Sequence, residues 1–517
     1  MSSETLYYLV PETILSLTAV VIYVLGASFR NREVWSAVAA LGFVGATAAL
    51  IYGPGTADAV GPVTADFLSQ YGRFLSIVVG FLFLLTSAKS ADHDQTPEFF
   101  GTLLLLVTGM MIASSARDLI LLFIGLELIT IPTYVLLYLA RPVRTYDVLT
   151  EESTAKYFFL SVFAAAMLLY GLSFLYGATG ETNLAAIYAK LDGHMAPGSR
   201  ELLFIQISML FIFAGLGFKI TAVPFHFYAP DVYQGTSHAM AAVMSVAPKI
   251  AGVIALVRII AVAIPGGEFY AWRMAAGLAL VTMTVGNIMA LWQDNVRRLM
   301  AFSSVANSGY LLLGLSVALA AHSDPGVKLE EAGFQPLAGT FLYLAVYAIG
   351  TIGVFAAFSY LTEDGEQVNT VAQLSGLYKS HPVAALSAAI CLFSLAGIPP
   401  LAGFWGKFGV FMSALEIRGT NDLGMVVQNW SLILVIVGAL NAAIAASYYL
   451  RLISVMYFGE PQKTSRPHGG EGALWTAVVS AALVLVVGCY PWRLMSASKL
   501  AGEQAQLAVV KPAEAAP

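Results

Sequence analysis

Lysine stands three times inside stretches that otherwise read as lipid-buried helix: Lys219 in LFIFAGLGFKITAVPFHF, Lys249 in MAAVMSVAPKIAGVIALV and Lys407 in LAGIPPLAGFWGKFGVFMSAL. Glu127, in LILLFIGLELITIPTYVLLYL, supplies the opposite sign. An ammonium at membrane depth costs about 2.5 to 3.5 kcal/mol on insertion scales, so each needs a polar environment and a reason, and proton or ion handling is the default reason. A lysine exchanges protons near neutral pH only where its surroundings weaken proton affinity by roughly 4.6 kcal/mol, which burial can supply. A carboxylate about 5 Å away opposes that by roughly 3 kcal/mol at an effective dielectric of about 20. Movement of Glu127 toward or away from Lys219 would therefore act as a protonation switch.

The elements that must hold these charges are membrane helices. The chain has 517 residues, 58% of them hydrophobic and 11% charged, with a mean hydropathy of +0.77. That composition excludes an ordinary water-soluble protein and implies an all-α polytopic membrane protein. About fourteen apolar windows of spanning length can be counted, from 5–27 through 473–492. The first lacks a basic n-region and a small-residue cleavage site, which predicts a retained span rather than a signal peptide. The net charge of -5 comes without a basic stripe, so nucleic acid is not an expected partner. Cys391 and Cys489 lie in apolar runs with no CxxC, which predicts buried structural thiols rather than iron–sulfur, haem or zinc ligation.

Loop charge sets an expected orientation. The connections after odd-numbered windows hold Arg30, Arg32, Lys89, Arg141, Arg144, Lys156, Arg297, Arg298, Lys379, Arg451, Lys463 and Arg466, and the opposite set holds fewer, among them Arg73, Arg117, Lys190 and Arg200. The positive-inside rule then places both termini on the outer side.

Two windows are interrupted. The 383–413 window is too long for one crossing, at about 46 Å as a straight helix, and contains Pro399-Pro400, which predicts two half-helices. The 202–223 window meets Pro224 just after Lys219. Proline withholds an amide donor, and unwound backbone at membrane depth is tolerated only against protein or a wet cavity, so both breaks mark transport sites. Counting five windows over 98–263 and five over 271–457, the broken one is fourth in each set, as expected of inverted repeats with a site at their interface. The expected organisation is 1–97 with three helices, 98–263 and 271–457 as five-helix repeats, and 473–517 as a last helix and tail.

FKITAVPFHFYAPDVYQGTSHAMAAVMSVAPKIAG, LAGIPPLAGFWGKF and RRLMAFSSVANSGYLLLGL closely resemble the antiporter-like membrane subunits of respiratory complex I, the proton-translocating NADH–quinone oxidoreductase; APDVYQG and the opening PETILSLTAV resemble its subunit N. The resemblance covers essentially the whole chain. It implies that Glu127 is the glutamate of the fifth-span LEL motif, Lys219 the lysine of the broken seventh span, Lys249 the connecting lysine of the eighth and Lys407 the lysine of the broken twelfth. Lys156, in ESTAKYFFL, matches a lysine that the family sets beside the glutamate, although snorkelling to the interface explains it equally well from physics alone. One departure stands out: many relatives have histidine where SSVANSG has Asn307, and asparagine takes up no proton near pH 7.

Other polar residues have plainer readings. Arg258, Arg273, Glu416 and Arg418 lie near predicted span ends and read as interfacial anchors. His226 and Asp231 fit either a water inlet or a loop cap, and His238 either lines the path or satisfies backbone. No strand–GxGxxG–helix unit and no P-loop is present, so no cofactor is expected on this chain. The resemblance instead implies partner subunits that carry NADH, FMN, iron–sulfur clusters and quinone, in a bacterial inner membrane. A subunit of a multisubunit sodium/proton antiporter, which shares the lysines and breaks, is the alternative, and a solute carrier for an anionic substrate a more distant one.

Overall fold

The structure is a computed structural model that describes residues 3–53, 55, 57–90, 93–140, 148–191, 200–262, 264, 268–321, 323–329, 335–363, 366–461, 466–467 and 469–510. Arg141, Arg144, Lys463 and Lys511 lie outside the described residues. Each of the fourteen apolar windows carries helix. Among the described residues, twelve helices are long and apolar enough to cross a membrane on their own, and Val10–Gly26 is a shorter apolar helix. The 383–413 window forms the remaining pair, Pro382–Ala396 and Ala402–Leu415.

Helix starts follow their sequence signals. Asn31, Asp66, Asp118, Ser237, Asn295 and Asn421 cap the helices that follow them by accepting backbone amides through their side chains. Pro11, Pro97, Pro336 and Pro382 occupy first-turn positions, where the missing amide costs no intrahelical bond. Three helices, His238–Ile260, Val296–Ala320 and Pro336–Ser359, have their apolar windows wholly inside the protein. Protein surrounds those windows on all sides, which is why serine, asparagine, tyrosine and lysine can sit there. Val296–Ala320 packs on Glu268–Leu291 at backbone distance: a Cβ on Gly309 would fall 2.7 Å from the amide nitrogen of Met283.

Both predicted breaks are present. Arg200–Lys219 ends at Lys219, the chain turns through Thr221 at φ 59°, and helix resumes at Ala229–Gln234. The second break turns at Gly397, φ 88°, a conformation that suits glycine. A Val223-Pro224 and a Pro399-Pro400 cis peptide lie within the two breaks.

Three features depart from the sequence reading. Short antiparallel strand pairs tie connections together outside the spans, such as Val327–Leu329 with Ile417–Gly419. The described part of the tail expected after the last spanning helix forms the helix Trp492–Val510; Gln504 accepts the Phe67 amide at 2.7 Å, and Glu503 accepts from Gln335 at 3.2 Å. Cys391 is buried as expected, but Cys489 is exposed, because it closes a helix that presents much of its surface outward.

Candidate functional site

The break after Lys219 places that ammonium against the helix Leu119–Leu139. Its Nζ donates to Thr130 Oγ1 at 2.6 Å, to Glu127 Oε1 at 3.3 Å and to the Leu126 carbonyl at 3.4 Å. All three acceptors come from one helical turn and a half, so a single rigid element sets the lysine's environment. Lys219 is buried, and the Glu127 side chain is 23% exposed. The sequence-predicted pair is therefore formed.

Lys249 is fully enclosed on the buried His238–Leu256 helix, just after Pro248, whose missing amide locally interrupts the helical ladder. Its ammonium donates to the Ser304 carbonyl and hydroxyl and to Tyr347 OH at 3.2 Å, and lies 5.0 Å from the centroid of the Tyr347 ring. No carboxylate is among its described partners. Hydroxyls, a carbonyl and an aromatic face stabilise a cation while leaving it free of a fixed counter-charge.

Lys407 projects from the second half-helix of the broken twelfth span back to the end of the first. It donates to the carbonyls of Leu395 at 2.9 Å and Ala396 at 3.3 Å. These are unpaired last-turn acceptors at the negative end of the Pro382–Ala396 helix, which the break exposes. The face of Tyr310 covers the ammonium from 5.0 Å.

Helix Val296–Ala320 meets the break after Lys219, Lys249 and Lys407 through Ser308, Ser304 and Tyr310. Ser308 donates to the Ile220 carbonyl, freed by the first break, and also lies 3.4 Å from Thr221 Oγ1. One turn earlier Ser304 meets Lys249, and Ser308 bonds its carbonyl at 3.1 Å. Asn307 donates to the Ser303 carbonyl at 2.8 Å and accepts from Tyr343 OH. The Tyr343 ring packs edge-on against Tyr310 at 5.9 Å, which leads to Lys407. Sequence reasoning singled out Asn307 but not Ser304, Ser308, Tyr343 or Tyr347. The signal was the dense polar run SSVANS within an apolar window.

Lys156 sits apart. Its ammonium pairs with Glu152 at 2.7 Å and Asp231 at 3.2 Å, and its side chain is 41% exposed. Asp231 is also held by Arg298 at 2.6 Å, so the short Ala229–Gln234 helix is tied on both sides by ion pairs. His238 Nε2 lies 2.6 Å from the Val368 carbonyl, in keeping with backbone satisfaction.

Three polar residues require correction. Arg258 is no interfacial anchor: it is buried, grips Asp66 through both terminal nitrogens at 3.0 and 2.9 Å, and donates to the Ser114 carbonyl. Glu416 is likewise buried. Arg73 is not a loop charge; it lies within Phe67–Ser87 and pairs with Glu12 at 2.6 Å, both side chains buried. Arg273 and Arg418 are exposed, as anchors should be.

Residues 116–436 match the family described as NADH:quinone oxidoreductase/Mrp antiporter, TM. NADH-quinone oxidoreductase subunit N of Sphingopyxis alaskensis is 34% identical, over 92% of this chain and 94% of its own. A chain of respiratory complex I from Thermus thermophilus, solved with bound aureothin, superposes with a TM-score of 0.75 at 28% identity, covering 94% of this chain and 98% of that one. A chain of the Mrp complex from Dietzia superposes at 0.79 with 20% identity, covering 98% and 100%, and shares the fold.

Proposed function

Because this chain belongs to the NADH:quinone oxidoreductase/Mrp antiporter membrane family, we propose that Glu127, Lys219, Lys249 and Lys407 carry its protons. The chain is a proton-translocating membrane subunit of NADH–quinone oxidoreductase, of the subunit N type, and so part of an enzyme complex. Protons load at the Glu127/Lys219 pair, pass through the Ser308 and Ser304 hydroxyls to Lys249, and reach Lys407 for release. The single observation that carries this reading is that one helix, Val296–Ala320, meets Lys249 through Ser304, covers Lys407 with Tyr310 and reaches the break just after Lys219 through Ser308. Asn307 cannot hold the proton, so it orients the hydroxyl of Tyr343 and water carries the charge past it.

Lys156 tunes the inlet through Asp231 rather than carrying the proton onward. The sets 98–263 and 271–457 act as inverted repeats, each contributing one broken helix. NADH, FMN, iron–sulfur clusters and quinone belong to partner subunits, and quinone reduction there drives this channel. Lipid, water and protons are the remaining partners; the membrane is the bacterial inner membrane, and both termini face outward. The sodium/proton antiporter alternative has weaker support, since the Dietzia likeness lies in the fold at 20% identity, whereas the subunit N relative stands at 34%. The test is copurification: the tagged chain should bring down NADH–quinone oxidoreductase activity that pumps protons in vesicles. Recovery with a sodium/proton antiporter, and without NADH oxidation, would overturn the reading.

A further inference from the structure

Tyr233 lies on the short helix Ala229–Gln234, beyond the first break, two residues from half-exposed Asp231. Its side chain is fully buried, yet its hydroxyl makes no hydrogen bond of good geometry. That hydroxyl lies beside those of Ser245 and Ser304. Ser304 is the residue that accepts from Lys249, and Tyr347 also donates to it, at 2.9 Å. A buried phenol with its donor and acceptor uncommitted is unusual, because such groups are nearly always satisfied. Two more buried polar atoms just beyond it, Thr236 Oγ1 in the connection and His238 Nδ1 at the start of the next helix, are likewise unpartnered. The segment thus runs from a solvent-reaching ion-pair cluster, Asp231 with Lys156 and Arg298, to the hydroxyl ring around Lys249. None of the described contacts of Tyr233 involves Glu127, Thr130 or Lys219.

We propose that Tyr233 relays protons from the Asp231 mouth to Lys249, an inlet that bypasses Lys219. A proton arriving from solvent bonds to the phenol oxygen as the phenol's own proton passes to Ser304 Oγ, whose hydroxyl proton moves to the neutral amine of Lys249. Tyr233 and Ser304 end unchanged, and Lys249 becomes an ammonium. The inference rests on the reading of Lys249 as a proton station.

The test uses the whole complex in vesicles, comparing Tyr233→Phe, Lys249→Met and the double variant by protons pumped per NADH at matched complex content. Phenylalanine keeps the ring and removes only the hydroxyl. Tyr233→Phe should lose part of the pumping that Lys249→Met loses, and the double variant should be no worse than Lys249→Met, each normalised to its own uncoupled NADH oxidation. If Tyr233→Phe pumps like the parent while Lys249→Met is impaired, the inlet is wrong and the station stands. If Lys249→Met pumps like the parent, the station itself fails and the inlet with it. Should Tyr233→Phe not assemble, Asp231→Asn, which alters the proposed mouth, decides by the same ratio in assembled complex: a loss supports the inlet and parental pumping overturns it.

Discussion

Glu127→Gln isolates the charge of the switch from its shape. Glutamine keeps the side-chain length and an oxygen that can accept from Lys219, so the 3.3 Å contact can persist while the negative charge disappears. At that separation and an effective dielectric of about 20, the attraction favouring a charged Lys219 is about 5 kcal/mol. Its removal takes away the negative charge among the lysine's described partners. Thr130 and the Leu126 carbonyl remain to hold the ammonium, but neither carries charge. The expected result is assembled complex in which Lys219 no longer cycles and protons pumped per NADH fall. Glu127→Asp, which lengthens the contact by about a carbon–carbon bond, should lie between glutamine and the parent. The assay is acidification of vesicles containing the whole complex, normalised to uncoupled NADH oxidation. Parental pumping by Glu127→Gln across pH 6 to 8 would refute the reasoning, because a contribution of that size cannot vanish silently.

Two further outcomes follow from other parts of the structure. Lys407→Ala and Lys407→Glu should both stop pumping at pH 7, because a carboxylate there would face the Leu395 and Ala396 carbonyl oxygens at the negative end of their helix; pumping by the glutamate variant alone would show that those carbonyls do not define the site. Arg258→Leu should destabilise the protein by about 3 to 5 kcal/mol, since it leaves Asp66 uncompensated; thermal inactivation of the purified complex measures it, and adding Asp66→Asn should recover part of the loss.

The four charges were legible because nothing else in an apolar window explains them, and both breaks were legible because Pro224 and Pro399-Pro400 interrupt spans of defined length. The buried pairs were not. Arg73 finds Glu12, and Arg258 finds Asp66, on helices far away in the chain, and no periodicity encodes which helices become neighbours. Tyr343, Tyr347 and Tyr310 count as apolar in a hydropathy window, so their hydroxyls and ring faces became readable only once the helices were packed. The terminal helix Trp492–Val510 escaped notice for the converse reason: it lies against protein and connections, and needs no spanning apolar window.

Lateral passage runs through Lys249, which is held by Ser304 and Tyr347 with no carboxylate among its described partners. The most direct measurement is the number of protons pumped per NADH by complex containing Lys249→Met, which fills the same space without a charge. The account predicts a lower number with assembly and uncoupled NADH oxidation intact. The parental number, from fully assembled complex, would contradict it.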